Sequence, residues 1–234
     1  MKTVLCVLAL VWPMAASGQT VFFDDFEGSA LLPHWSQPPP SHWEHTVSNS
    51  MLNVTALFSP GIPHLGSNFA GIAAEFSPQT DFRVDVWMGW EQGTQPHRLN
   101  LQVLGPGGNP IIAGVGYRNE AWSGEVLFFS GSTQGVSFPA PAPGIYHFTI
   151  ARSAAEFQFY LEGNLIATFP DTFGTPAAGV QFFFLGPVSE PLGAFSIERV
   201  RVVPAPGLMW IPLPLGLACA CRRTRRVVTT NQGA

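Results

Sequence analysis

The chain has 234 residues, of which 46% are hydrophobic, 12% aromatic and only 11% charged, whereas ordinary soluble domains carry about 25% charged residues. That deficit, with 24 Gly and 22 Pro, excludes helical bundles and coiled coils, whose outer faces need charge, and 19 Phe with 7 Trp exclude intrinsic disorder. A net charge of −4 excludes a nucleic-acid binder that works by neutralising phosphates.

Sorted by position, the charges segregate. All 15 acidic residues lie between Asp24 and Glu198; six arginines against those 15 acids give that body a formal charge of −9. Lys2 and the run Arg222, Arg223, Arg225 and Arg226 supply the rest of the positive charge. The three cysteines, Cys6, Cys219 and Cys221, also fall in the two ends. A body without thiols suits an oxidising compartment.

The first element is an address. Lys2 precedes the apolar run Val4–Trp12, Pro13 breaks any helix, and Ala15, Ala16, Ser17 and Gly18 follow. This order of charged, apolar and small residues predicts a signal peptide over 1–18, with Ala16 and Gly18 suiting a cut by signal peptidase before Gln19 and Ala15 and Ser17 suiting one a residue earlier. A single β-sandwich domain is expected over 19–203. Its segments are short, apolar and punctuated by Gly, Pro, Asn and Ser. They run from Val21–Phe23 through 42–57 (with a turn at Ser48-Asn49-Ser50), Phe82–Trp90, Leu99–Leu104 and Ile111–Arg118. Glu125–Phe129, Gly144–Arg152, Phe157–Leu161, Leu165–Phe169, Val180–Leu185 and Phe195–Val203 follow. Glu162-Gly163-Asn164 is a hairpin signal. No window shows a 3.6-residue apolar period, so the fold class is all-β, two antiparallel sheets in a sandwich.

Beyond the body lies Leu208–Cys221, a 14-residue apolar stretch containing Pro212 and Pro214. A transmembrane helix needs about 20 residues. The stretch therefore reads as a short membrane-directed segment, stopped by the Arg run on the cytoplasmic side. The segment is assigned to 204–226 and a short polar tail to 227–234.

Two resemblances follow from these residues. Val203-Pro204-Ala205-Pro206-Gly207, the apolar span and Arg222, Arg223, Arg225 and Arg226 resemble the PEP-CTERM sorting signal of bacterial exported proteins. Ala205 stands where the commonest form has Glu, and Val227–Ala234 extends past the Arg run. The resemblance implies an exosortase-type transpeptidase as partner, cleavage near Pro204–Pro206, transient contact with the inner membrane, and delivery to the cell surface or extracellular matrix. A plain C-terminal anchor is the alternative.

The body resembles the concanavalin A-like jelly roll shared by legume lectins, laminin-G-like modules and laminarinase-type glucanases. The residues that carry this are Phe23-Asp24-Asp25-Phe26, His42-Trp43, Gly144–Arg152, Phe157–Asn164 and Phe195–Val200. Laminarinase-type relatives carry Glu-x-Asp-x-x-Glu or a near form on one strand; the strand matched to it here offers Asp85 alone. Glycosidase chemistry needs two facing carboxylates, so the chain is read as non-catalytic.

Alternation in Phe82–Trp90 puts Arg83, Asp85 and Trp87 on one face, and in Leu99–Leu104 it groups Arg98, Asn100 and Gln102. A short connection holding Gly93, Pro96 and His97 predicts an antiparallel hairpin, so one outer face would gather all six. An aromatic plane flanked by donors and acceptors suits pyranose rings and their hydroxyls, hence a glycan or extracellular polysaccharide. The alternative is a solvated sheet face with cross-strand polar pairs. Asp24, Asp25, Glu27 and Glu198 form a candidate structural calcium site if the first and last strands meet; the alternative is acidic edge residues that discourage aggregation. The expected function is thus exported, surface- or matrix-associated glycan binding. A diverged glycoside hydrolase and a purely structural surface protein are the alternatives.

Overall fold

The computed structural model describes residues 20–36, 43–56, 68–90, 97–120, 123–131, 134–153, 156–186 and 195–205. The first strands are β1 (Phe22–Asp24), β2 (Trp35–Ser36), β3 (Trp43–Ser48), β4 (Met51–Ala56) and β5 (Asn68–Gln79). Next come β6 (Phe82–Trp90), β7 (His97–Leu104), β8 (Ile111–Glu120), β9 (Ser123–Ser130) and β10 (Gln134–Pro139). The last are β11 (Gly144–Ser153), β12 (Glu156–Leu161), β13 (Asn164–Pro170), β14 (Ala177–Gly186) and β15 (Phe195–Pro204).

They form two antiparallel sheets. An eight-strand sheet runs β13-β12-β11-β6-β15-β4-β3, with β1 also paired to β15; a seven-strand sheet runs β10-β9-β8-β7-β14-β5-β2. The sandwich expected from the sequence is therefore present. The core is the space between the sheets, filled from one side by Phe82, Val84, Val86, Met88, Phe148 and Ile150 and from the other by Leu99, Leu101, Val115, Phe128, Phe182 and Phe184. Each set occupies every second position of its strand, which is what a period of two must do when one face is buried. Trp90 and Tyr117 stack across the interior at 4.2 Å, tying β6 to β8.

The hairpins follow local chemistry. Glu162 (φ 51) and Gly163 (φ 76) join β12 to β13, and Asn49 (φ 55) and Ser50 (φ 56) join β3 to β4. Two consecutive positive-φ residues give the turn whose twist matches the flanking strands.

One topological expectation is overturned. Strands β6 and β7 do not pair as a hairpin: β6 lies between β11 and β15, and β7 between β8 and β14. Alternation fixes which side chains turn inward, but not which strand lies beside which. The apolar sets of β6 and β7 meet the same core from opposite sheets. Strands β2, β5 and β10 were not anticipated; the small residues of Ala70-Gly71-Ile72-Ala73-Ala74 leave a weak alternation in the middle of β5.

The expected end of the body at 203 falls one residue short of the end of β15 at Pro204, and the Ala205 amide donates to the Asp81 carbonyl at 3.1 Å. The signal peptide, Pro206, Gly207, the apolar stretch and the Arg run lie outside the described residues. Among the described residues no helix is long and apolar enough to cross a membrane.

Candidate functional site

Because β6 and β7 belong to different sheets, the six residues expected on one face divide into two threes on opposite sides of the sandwich. Arg83, Asp85 and Trp87 face outward from the eight-strand sheet, while Arg98, Asn100 and Gln102 face outward from the seven-strand sheet. The two faces differ in chemistry.

On the eight-strand sheet the three residues are locked among themselves and their neighbours. His147 and Thr149 of β11 stand opposite Trp87 and Asp85. Arg83 donates to both carboxylate oxygens of Asp85, with contacts of 2.8–3.0 Å. Thr149 Oγ1 donates at 2.6 Å and His147 Nε2 lies at 3.0 Å from the same carboxylate. Burial pushes the Asp85 carboxyl up, but the Arg83 and Thr149 hydrogen bonds, the Arg83 charge and His147 outweigh it, and the group titrates below the usual carboxylate range. Asp85 is thus an anion holding three side chains together, Arg83, His147 and Thr149.

Trp87 is closed on both sides. The His147 ring stacks parallel to the indole at 4.1 Å and 4°. From the strand on the other flank, the Arg199 guanidinium sits over the indole at 4.7 Å. The expectation that Trp87 offers a stacking plane to a sugar is therefore corrected: its two faces are taken by a histidine and a cation, and a pyranose ring has no face left to occupy.

The outer face of the seven-strand sheet carries half-buried side chains, with Gln102 buried at 9% exposure. Reading across the ladders in register, one row is Gly135, Phe129, Gly114, Gln102, Gln181 and Ala73. The next is Ser137, Leu127, Gly116, Asn100, Phe183 and Gly71. Three amides, Asn100, Gln102 and Gln181, thus sit together at the middle of the sheet, with Phe183 beside them, Phe129 beyond Gly114 and Leu127 beyond Gly116.

Those glycines are sterically required. A Cβ on Gly114 would fall 2.2 Å from Phe129 Cζ, and one on Gly116 would fall 1.8 Å from Asn100 Oδ1. The phenyl ring and the amide therefore lie down over bare backbone, which lowers the floor of the face and fixes where they point. At the rim, Arg118 donates to Glu125 at 2.7 and 3.0 Å. Arg98 stands opposite Arg118 in the ladder.

The candidate calcium ligands do not converge. Strand β1 does pair with β15, placing Asp24 opposite Val200. Asp24, however, is buried and already accepts from the Phe26 amide (2.7 Å) and the Trp35 indole N–H (2.6 Å), with His34 Nε2 at 3.2 Å. Asp25 accepts from the Glu27 amide at 3.4 Å, and Glu198 accepts from Arg199 at 3.2 Å. Among the described residues no group of three or more metal-ligating side chains is gathered. The sequence brought acids to one edge, but a strand alternates its side chains between two faces, so Asp24 turns into the fold and its neighbours turn out.

Residues that sequence reading missed are His147, Thr149 and Arg199 around Trp87, and Phe129, Gly114, Gly116, Gln181 and Phe183 on the seven-strand sheet. The alternation of His147 and Thr149 was visible; their partners were not, because they are more than sixty residues away.

No protein-family model matches the chain and no curated protein matches it by sequence. Solved structures do resemble it. A sialidase matches 81% of this chain at TM-score 0.63 and 13% identity, over only 19% of the sialidase's own length. The CBM2 module of the evolved Dit of Lactobacillus casei BL23 phage J-1 matches 79% of this chain and 95% of the module, at TM-score 0.60 and 13% identity. The catalytic domain of an endo-1,3-β-glucanase (laminarinase) from Thermotoga petrophila RKU-1 matches 79% and 97% respectively, at TM-score 0.59 and 14% identity. At such identities the likeness is one of fold, and it puts this two-sheet sandwich among the concanavalin A-like jelly rolls.

Proposed function

We propose that this chain is a non-catalytic glycan-binding protein that takes extracellular polysaccharide across the outer face of its seven-strand sheet. The observation that carries the reading is the amide cluster Asn100, Gln102 and Gln181, set between Phe129 and Phe183 above a glycine floor. Amides both donate and accept, which matches sugar hydroxyls, and aromatic rings match sugar C–H surfaces. The residues Arg98, Asn100 and Gln102 keep the role expected of them; Arg83, Asp85 and Trp87 become scaffold. The fold is one that laminarinases and a carbohydrate-binding module also use, which supports a carbohydrate ligand.

The arrangement of carboxylates favours binding over hydrolysis. On the seven-strand sheet the described outward acids are Glu75 on β5 and Glu125 on β9. Four strand spacings separate β5 from β9, about 19 Å at roughly 4.8 Å per strand. The two carboxylates of a glycosidase stand about 5–9.5 Å apart. Glu125 is also neutralised by Arg118.

We place this activity outside the cell. The signal peptide over 1–18 and the sorting segment over 204–226 support export and processing by an exosortase-type transpeptidase at the inner membrane. The test is retention on insoluble polysaccharide by the full chain, its Asn100→Ala/Gln102→Ala variant and its Trp87→Ala variant, alongside assay of reducing-sugar release from β-glucan. Retention lost only in the amide variant, with no sugar released, is the expected result. Retention unchanged in that variant, or release of reducing sugar, overturns the reading.

A further inference from the structure

The outer face of the seven-strand sheet ends in a pocket. Where β2, β5 and β14 meet the turn after β7, a cavity of about 290 Å³ is walled by Ala73, Leu104 and Gly179, with His34, Ser36 and Glu75 as its polar side chains. It shares a ladder row with the amide cluster: Ser36 pairs with Ala73, Ala73 with Gln181, and Gln181 with Gln102. Pockets for drug-sized ligands run from about 300 to 1,000 Å³, so this one has room for a single small ring.

Two of its polar side chains are acceptors. Glu75 is an acceptor only. The Asp24 carboxylate, already taking the Trp35 and Phe26 N–H groups, can only accept, so the His34 nitrogen facing it at 3.2 Å carries the proton. His34 is thereby tied to Asp24. Ser36 spends its hydroxyl proton on the Ala73 carbonyl at 3.0 Å, which also leaves its oxygen as an acceptor. Two acceptors, Glu75 and Ser36, beside an apolar floor of Ala and Gly want a ligand rich in donors. A neutral sugar, with several O–H groups on a compact ring, meets that demand. A uronic acid would set its carboxylate against Glu75 and bring acceptors to acceptors.

Building on the glycan-binding reading of the face, we propose that this pocket holds the terminal unit of the bound glycan, as an uncharged sugar, and discriminates against uronate. The face then grips the chain and the pocket reads its end. Binding is therefore stronger, unit for unit, for short chains with many ends than for long ones.

The experiment is calorimetric titration of the full chain with short neutral β-glucan oligosaccharides and with uronate oligosaccharides of equal length. Wild type is compared with Glu75→Gln and Ala73→Leu, each checked by thermal melting. A partly exposed like-charge contact of up to about 1 kcal/mol predicts that wild type prefers the neutral chains by about fivefold. Glu75→Gln narrows that preference towards parity. Ala73→Leu fills the pocket and weakens the short chains while retention on insoluble polysaccharide persists. If neither variant changes oligosaccharide affinity or charge preference, the pocket proposal is overturned and the face reading stands. If wild type retains no polysaccharide at all, the face reading fails first. Glu75→Gln replaces an exposed side chain by one of the same shape, so the charge test survives even if Ala73→Leu does not fold.

Discussion

His147 and Trp87 stand directly opposite one another in the ladder between β11 and β6, and their rings stack at 4.1 Å, nearly parallel. His147 also reaches Asp85 through Nε2 at 3.0 Å, while Arg199 covers the indole from the β15 side. A tryptophan that looks like a ligand platform in the sequence is, in the fold, the middle layer of a three-part stack. What it does is hold β11, β6 and β15 in register on their outer side.

Replacing Trp87 with Ala therefore costs stability and not binding. The stack loses an aromatic pair and a cation–π contact, about 2 kcal/mol together. Urea unfolding of the two proteins should show a lower midpoint at similar slope, with polysaccharide retention unchanged at temperatures where both are folded. Retention lost at an unchanged midpoint would mean that the indole meets ligand after all.

Asp85 makes a second prediction through pH. Its carboxyl titrates below the ordinary range in the folded chain, so on acidification the unfolded chain takes the proton first. The stability it contributes is complete above the ordinary carboxylate value, about pH 4, and is lost as pH falls through the depressed one. Asp85→Asn should be less stable by about 1–3 kcal/mol at neutral pH. The gap from wild type should begin to narrow below about pH 4 and close only once the pH has fallen through the depressed value, where folded wild-type Asp85 is itself protonated. Thermal melts of both proteins from neutral pH into acid check this; a gap that stays constant to the lowest pH contradicts it.

Gly116 tests the outer face of the seven-strand sheet. Its absent side chain is where Asn100 Oδ1 sits, 1.8 Å from an ideal Cβ. Gly116→Ala must push the amide aside, at about 1 kcal/mol of stability, and glycan affinity should fall about tenfold with the amide misplaced. In an Asn100→Ala background the same change should cost much less, because the clash is gone. Equal costs in both backgrounds would mean that the Leu99 carbonyl, 3.0 Å away, carries the strain instead.

How much of this was readable beforehand depends on whether a relationship was local. The inward set of β6 follows from a period of two, and the hairpin at Glu162-Gly163 from turn chemistry two residues long. The pairing of β6 with β11 and β15 joins residues more than fifty positions apart, and no pattern within either strand encodes it. Hence Trp87 was found but not its stack, and Asp85 was found but not His147 and Thr149. On the other face, Asn100 and Gln102 were found because they alternate with Leu99, Leu101 and Val103. Gly114 and Gly116 were passed over, because a glycine in a strand has no side chain to announce a face. Small residues likewise hid β5, the strand that walls the pocket.

The last prediction concerns the link that feeds β14, the strand carrying Gln181 and Phe183. Arg152 turns inward at the end of β11, where it ion-pairs with Asp171, both side chains being 4% exposed or less. Its guanidinium also donates to the Thr175 carbonyl at 2.5 Å and lies 5.6 Å from the Phe157 ring. Asp171 in turn accepts from the Phe173 and Gly174 amides at 3.0 and 3.4 Å, shaping the 171–175 turn. The two halves of this pair are not equivalent when broken. Asp171→Ala strands a guanidinium that cannot lose its proton, at about 3–5 kcal/mol. Arg152→Met leaves a carboxylate that keeps two amide donors and can take up a proton, so its cost is smaller, about 1–2 kcal/mol. Urea unfolding of the two single variants measures the difference directly. Asp171→Ala should also weaken polysaccharide retention, since it frees the turn that sets the register of β14. Equal costs for the two variants would mean that the backbone donors contribute nothing to holding Asp171, and that the pair alone fixes the turn.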